Sequence, residues 1–85
     1  MTKREIKVRL DRAMETRPVA LMVQIASQFQ SDVYVEQENK RVNAKSIMGM
    51  MTLGLDAGSE VTLLTNGSDE SEAMDRLEAY LTRRA

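Results

Sequence analysis

Residues 42–51 read VNAKSIMGMM. The stretch leaves an extended run and enters a dense apolar cluster, with Ser46 at the join. A serine in front of a helix accepts a hydrogen bond from an otherwise unpaired backbone N–H of the first turn, worth about 1 kcal/mol. The segment therefore reads as a short strand over residues 41–43, an N-cap at Ser46, and a short helix, IMGMMTL, that stops at Gly54. Ile47, Met48, Met50 and Met51 crowd that helix. One stripe of so short a helix cannot bury four large apolar side chains. In the plainer reading Met50 and Leu53 are core and the others fill edges. In the sharper one, part of the cluster stays in water as an adaptable surface of the kind that binds partners.

Working outward, the neighbouring segments set the architecture. Residues 4–10 alternate, with Ile6, Val8 and Leu10 on one face and Glu5, Lys7 and Arg9 on the other, as in a half-buried strand. Residues 11–15 form a loop. Pro18 then opens a helix, with Thr16 as N-cap, running to Phe29. Val19, Met22, Val23 and Ala26 form its core stripe. Ala20, Leu21 and Ile25 fall off that stripe and make the helix more apolar than one buried face requires. A second strand covers residues 32–36, with Val33 and Val35 inward, and residues 37–40 turn it back into the strand before Ser46. A fourth strand spans residues 60–65 and breaks at Gly67 and Ser68. Asp69 and Glu72 read as a capping box for a last helix that buries Ala73, Leu77, Tyr80 and Leu81.

The order is β-α-β-β-α-β-α. Alternating strands suit an antiparallel sheet with one wet face. The expected fold is an α+β open-faced β-sandwich: a four-stranded antiparallel sheet covered on one face by three helices. Residues 1–85 form one domain, and a chain of 85 residues has little room for a deep pocket.

Composition removes several kinds of chemistry. The chain has no cysteine and no histidine, so it lacks a thiol nucleophile, a thiolate metal site, and the commonest general base. No metal or other cofactor is expected. There is no apolar run long enough for a transmembrane helix and no signal-peptide h-region near the N-terminus, which predicts a cytoplasmic protein with no membrane partner. Residues 1–45 carry nine Lys or Arg against six Asp or Glu, and residues 46–85 three against seven. The basic half suits an acidic partner or a phosphate but lacks the clustered stripe of a nucleic-acid footprint. One Phe, two Tyr and no Trp make a base-stacking platform a poor fit, so direct nucleic-acid contact is not expected.

Two motifs carry a resemblance over essentially the whole chain. TRPVALMVQIAS at 16–27 and VNAKSIMGMM at 42–51, with the strand order, are similar to the HPr family of the bacterial phosphotransferase system. In that family the first motif resembles G-[IL]-H-A-R-P, and its histidine carries a phosphoryl group from a phosphoenolpyruvate-dependent kinase toward sugar permeases. Here Ala13 replaces the glycine, Glu15 the histidine and Thr16 the alanine, while Arg17 and Pro18 remain. With no histidine, no phosphohistidine can form.

The second motif is intact. The resemblance is greatest to the family's histidine-lacking catabolite-repression branch. It implies that Ser46 is phosphorylated by an ATP-dependent HPr kinase/phosphorylase. It implies further that the phosphorylated form is a corepressor of a LacI-type catabolite control protein. The protein is then a regulator and not an enzyme.

In this reading Arg17 pairs with the phosphate, whose charge a helix N-terminus also favours. Ile47, Met48 and Met51 are apolar anchors, and Ala20, Leu21 and Gln24 extend the surface. Lys45 reads as a recognition residue or, more plainly, a solvated lysine. Ser46, in the plainer reading, is only a cap, and Arg17 only a surface arginine. Two alternatives stay open: a direct regulator of a metabolic enzyme using the same patch, and a phosphocarrier using Glu15 as an acyl phosphate. The terminal first strand and the loop at residues 11–15 also allow a homodimer made by strand exchange.

Overall fold

In the computed structural model, residues 1–9, 16–53 and 58–82 are described. Leu10, Glu15, Gly54 and the loop expected at residues 11–15 lie outside them, as do the side chains of residues 16–18, Arg17 included. Four strands, β1 (Thr2–Lys7), β2 (Asp32–Gln37), β3 (Lys40–Asn43) and β4 (Glu60–Asn66), and three helices, α1 (Thr16–Ala26), α2 (Ile47–Met51) and α3 (Glu70–Leu81), follow in the order β-α-β-β-α-β-α. The sheet order is β1-β4-β2-β3, and every neighbouring pair is antiparallel.

The period-two pattern of the strands sorts the faces. Ile6, Val33, Val35, Val61 and Leu63 point toward the helices and are buried. Against them pack Val19, Met22 and Ala26 of α1, Met50 of α2, and Ala73, Met74, Leu77 and Leu81 of α3. The other face is wet. There Arg41 pairs with Glu36 at 2.7 Å and lies over the Tyr34 ring at 5.5 Å. The expected α+β open-faced sandwich, with three helices on one face of a four-stranded antiparallel sheet, is the fold observed.

Several boundaries differ from the sequence reading, each for a local reason. β1 starts at Thr2, opposite Thr65, and ends at Lys7. Beyond it, the Val8 N–H bonds the Ser59 carbonyl and the Arg9 N–H bonds that of Leu81, so the chain leaves the β4 ladder. Thr16 belongs to α1 rather than capping it from outside. That helix stops at Ala26, short of Phe29. The N–H groups of Gln28 and Phe29 turn to the carbonyls of Ile25 and Ala26, tightening the last turn to i→i−3 bonds.

The capping box expected at α3 does not form. Asp69 is the N-cap residue but makes no side-chain cap bond. Its carboxylate instead accepts the Gln30 N–H at 2.9 Å, the Ser31 N–H at 3.0 Å, and the Ser31 hydroxyl. Those bonds, led by the Ser31 hydroxyl, hold its carboxyl below the usual range. They tie the α1–β2 connection to the start of α3.

Glu70, the next residue, fastens the β4–α3 connection to the start of β1. It accepts the Gly67 N–H at 3.0 Å, the Thr2 hydroxyl at 2.7 Å, and the Met1 amine at 3.1 Å. The Gly67 bond first, then the Thr2 and Met1 bonds, pull its carboxyl from 4.5 to about 2. A depressed carboxyl contributes stability that is complete above the unfolded value and is lost as pH falls toward the folded one. Part of the acid sensitivity between about pH 4.5 and 2 is therefore assigned to Glu70. In Glu70→Gln, thermal melts across this window are expected to be flatter than the parent's. Identical slopes would reject the assignment.

Candidate functional site

The site begins with how the chain enters α2. Ala44, fully buried, donates its N–H to the Val33 carbonyl and carries the chain off the sheet. The Asn43 side chain accepts the Lys45 N–H at 2.8 Å, and its carbonyl accepts the Ser46 N–H at 3.0 Å. This turn places Ser46 at φ −108°, ψ 116°, the extended geometry of an N-cap. Its hydroxyl oxygen accepts the Gly49 N–H at 3.1 Å, and its carbonyl accepts the Met50 N–H at 2.9 Å.

α2 is shorter than its sequence suggests. Thr52 ends it, with N–H and hydroxyl both bonded to the Gly49 carbonyl. Lys40 Nζ adds a bond to the Thr52 carbonyl at 3.3 Å.

The apolar cluster splits cleanly. Met50 and Leu53 point into the core, while Ile47, Met48 and Met51 are 45 %, 80 % and 54 % exposed. The core positions of the plainer reading are thus found at Met50 and Leu53, and the solvent exposure that the sharper reading requires at Ile47, Met48 and Met51. Ile47 shares a shallow groove between α1 and α2 with Ala20, Leu21, Val23, Gln24 and Ser27. The structure therefore gathers Ala20, Leu21, Gln24 and Ile47 along one line and sets Met48 and Met51 on the open face of α2. Val23 and Ser27 were not singled out for this surface. Ser27 was legible, since 20, 24 and 27 follow the helical i, i+4, i+7 spacing.

Lys45 is not the solvated lysine of the plainer reading. It is half-buried, and its Nζ donates to the Phe29 carbonyl at 2.8 Å. It straps the α1–β2 connection to the turn that enters α2. Lys45→Met keeps the stem and removes this bond. The expected cost is about 1 kcal/mol, read from the denaturation midpoint; no change would mean that the strap is not energetic.

Among the described residues, no group of three His, Cys, Asp or Glu could hold a metal ion. Nor is any described helix long and apolar enough to cross a membrane.

The chain is thus a small two-layer sheet-and-helix domain with a serine-capped helix flanked by exposed apolar side chains. The profile described as the PTS HPr component phosphorylation site matches residues 2–83. The chain belongs to the HPr family. It is 49 % identical over 81 residues to the HPr-like protein Crh of Bacillus subtilis strain 168, covering 95 % of each chain. The crystal structure of the phosphocarrier protein HPr of Bacillus anthracis superposes with a TM-score of 0.89 at 44 % identity, over 94 % of this chain and 95 % of that one. That of seleno-methionyl Crh from Bacillus subtilis, described as a domain-swapped, intertwined dimer, matches with a TM-score of 0.77 at 47 % identity, over 100 % and 98 %.

Proposed function

We propose that this protein is a cytoplasmic regulator of carbon catabolite repression, switched by phosphorylation of Ser46. An HPr kinase/phosphorylase transfers the γ-phosphoryl group of ATP to the Ser46 hydroxyl; the Oγ–P bond forms, ADP leaves, and the hydroxyl proton passes to the kinase. The phosphorylated protein then docks on a LacI-type catabolite control protein as its corepressor. It makes no direct contact with DNA and carries no phosphohistidine.

One observation supports this reading most. The Ser46 hydroxyl lies at the end of an exposed apolar face made by Ile47, Met48 and Met51, in a chain that has no histidine. A phosphate there adds about two negative charges beside the apolar anchors. The Gly49 N–H already faces Oγ, so the same turn can receive the anion. Arg17 is assigned to the phosphate by its place in the R-P motif, and Ala20, Leu21 and Gln24 to the partner surface. Glu15, at the degenerate histidine position, is assigned no phosphoryl transfer.

The test is intact-mass and peptide mapping after incubation with an HPr-type serine kinase and ATP. One phosphate on Ser46, absent from Ser46→Ala, is expected. No phosphate would remove the mechanism.

The same reading includes a homodimer by exchange of β1. β1 is an edge strand that pairs with β4 alone, and the swapped Crh relative lends support. Exchange would replace each native contact of β1 by its equivalent in the partner copy. Sedimentation showing monomer alone at high concentration would exclude it.

A further inference from the structure

Six of the seven methionines lie among the described residues, and Met14 lies outside them. They fall into two sharply separated groups. Met22, Met50 and Met74 are fully buried, whereas Met48 and Met51, and Met1 at the far end of the chain, are mostly in water. α2 alone carries both kinds, with Met50 inward between two outward neighbours. With no cysteine in the chain, thioether sulfur is the only sulfur an oxidant can reach. The thioethers of Met48 and Met51 also form the greater part of the apolar face beside Ser46.

We propose that Met48 and Met51 are a reversible oxidation site that closes this face to its partner independently of phosphorylation at Ser46. The inference rests on the partner surface proposed above. The oxidant is a peroxide. The thioether sulfur attacks one peroxide oxygen, the O–O bond breaks, and water leaves. Sulfur loses two electrons, peroxide gains two, and the product is the sulfoxide. Each event turns a flexible apolar anchor into a strong dipole that must be desolvated on docking. A thiol-dependent sulfoxide reductase restores the thioether. Because both side chains project from the fold, oxidation does not touch the core, and Met50 holds α2 in place throughout.

The test treats the full chain with hydrogen peroxide and follows each methionine by peptide mapping. Sulfoxide is expected at Met48 and Met51 well before Met22, Met50 and Met74, with an unchanged melting curve. Affinity of the Ser46-phosphorylated protein for the catabolite control protein is expected to fall about tenfold or more on oxidation. It should return after treatment with the reductase.

The Met48→Leu/Met51→Leu variant keeps apolar bulk and has no thioether at these positions. Its own affinity before peroxide is the reference, and that affinity should not change in peroxide, although Met1 still oxidises. Sulfoxide mapped to Met48 and Met51 with unchanged affinity would overturn the proposal. So would equal loss of affinity in the leucine variant. A parent that shows no phosphate-dependent binding even before peroxide would instead sink the function proposed above, and this switch with it.

Discussion

Gly67→Ala is expected to be the most damaging single-methyl change in the described part of the molecule. Gly67 sits at φ +153°, and a Cβ there would lie 2.6 Å from Ser31 Oγ, 2.7 Å from Ser31 Cα, and 2.9 Å from Ser31 Cβ. The flexible oxygen could rotate away, but the backbone carbon cannot move without the connection that carries it into β2. Ser31 is itself buried, and its N–H and hydroxyl are fastened to Asp69. Relieving the clash therefore means parting the β4–α3 connection from the α1–β2 connection. Overpacking of this kind costs about 1–3 kcal/mol, and a non-glycine residue forced into a sparsely populated backbone region adds about 1–3 kcal/mol more.

The expected total is about 4 kcal/mol. At roughly 4–8 °C per kcal/mol for a domain of this size, the melting temperature should drop by about 15 °C or more. Ser31→Gly in the same chain removes the side-chain part of the clash and leaves the backbone part, so it should rescue only some of the loss. A melting temperature for Gly67→Ala within a few degrees of the parent would show that the two connections are not held as rigidly as their hydrogen bonds suggest.

The same pair of connections shows where sequence reasoning stops. Asp69 and Glu72 carry the local signature of a capping box, and the local signature is genuine. What the sequence does not display is that residues 30 and 31 arrive beside Asp69 with two N–H groups and a hydroxyl to satisfy. Three bonds from a distant segment outcompete one bond along the helix. Lys45 follows the same logic, since its partner, the Phe29 carbonyl, lies in the sequence-distant α1–β2 connection. Interactions set by periodicity were legible: Val33 and Val35 inward on β2, the α1 stripe of Val19, Met22 and Ala26, and the division of α2 into buried and exposed faces. These depend on repeat spacing within one element. Met74 joins the α3 core although it was not singled out, because the helix packs against both β1 and β4 and buries a wider stripe. At the candidate site, the serine cap and its apolar neighbours were readable, whereas the groove needed α1 and α2 to be docked first.

Ser46 has two separable jobs, and substitutions that differ by a few atoms divide them. As a cap it satisfies the Gly49 N–H, and Ser46→Ala should cost about 1 kcal/mol of stability. As the proposed phosphate acceptor it is irreplaceable, and the same variant should lose all phosphate-dependent binding to the catabolite control protein. Alanine alone cannot tell lost binding from a loosened helix. Asparagine is a good N-cap and cannot be phosphorylated as serine is, so Ser46→Asn should recover the stability and none of the binding. Aspartate also caps, and adds one negative charge where the phosphate would supply about two. Ser46→Asp should therefore be as stable as the parent and bind, without kinase, more weakly than the phosphorylated protein. The order expected in binding is phosphoserine, then aspartate, then asparagine and alanine together, whereas in stability alanine stands alone below the rest. If asparagine bound as tightly as the phosphorylated parent, the helix cap and not the phosphate would control docking, and the charge-switch reading would fail at its centre. If all four bound equally, the exposed face of Ile47, Met48 and Met51 would be a constitutive surface, to which Ser46 contributes only its hydrogen bond.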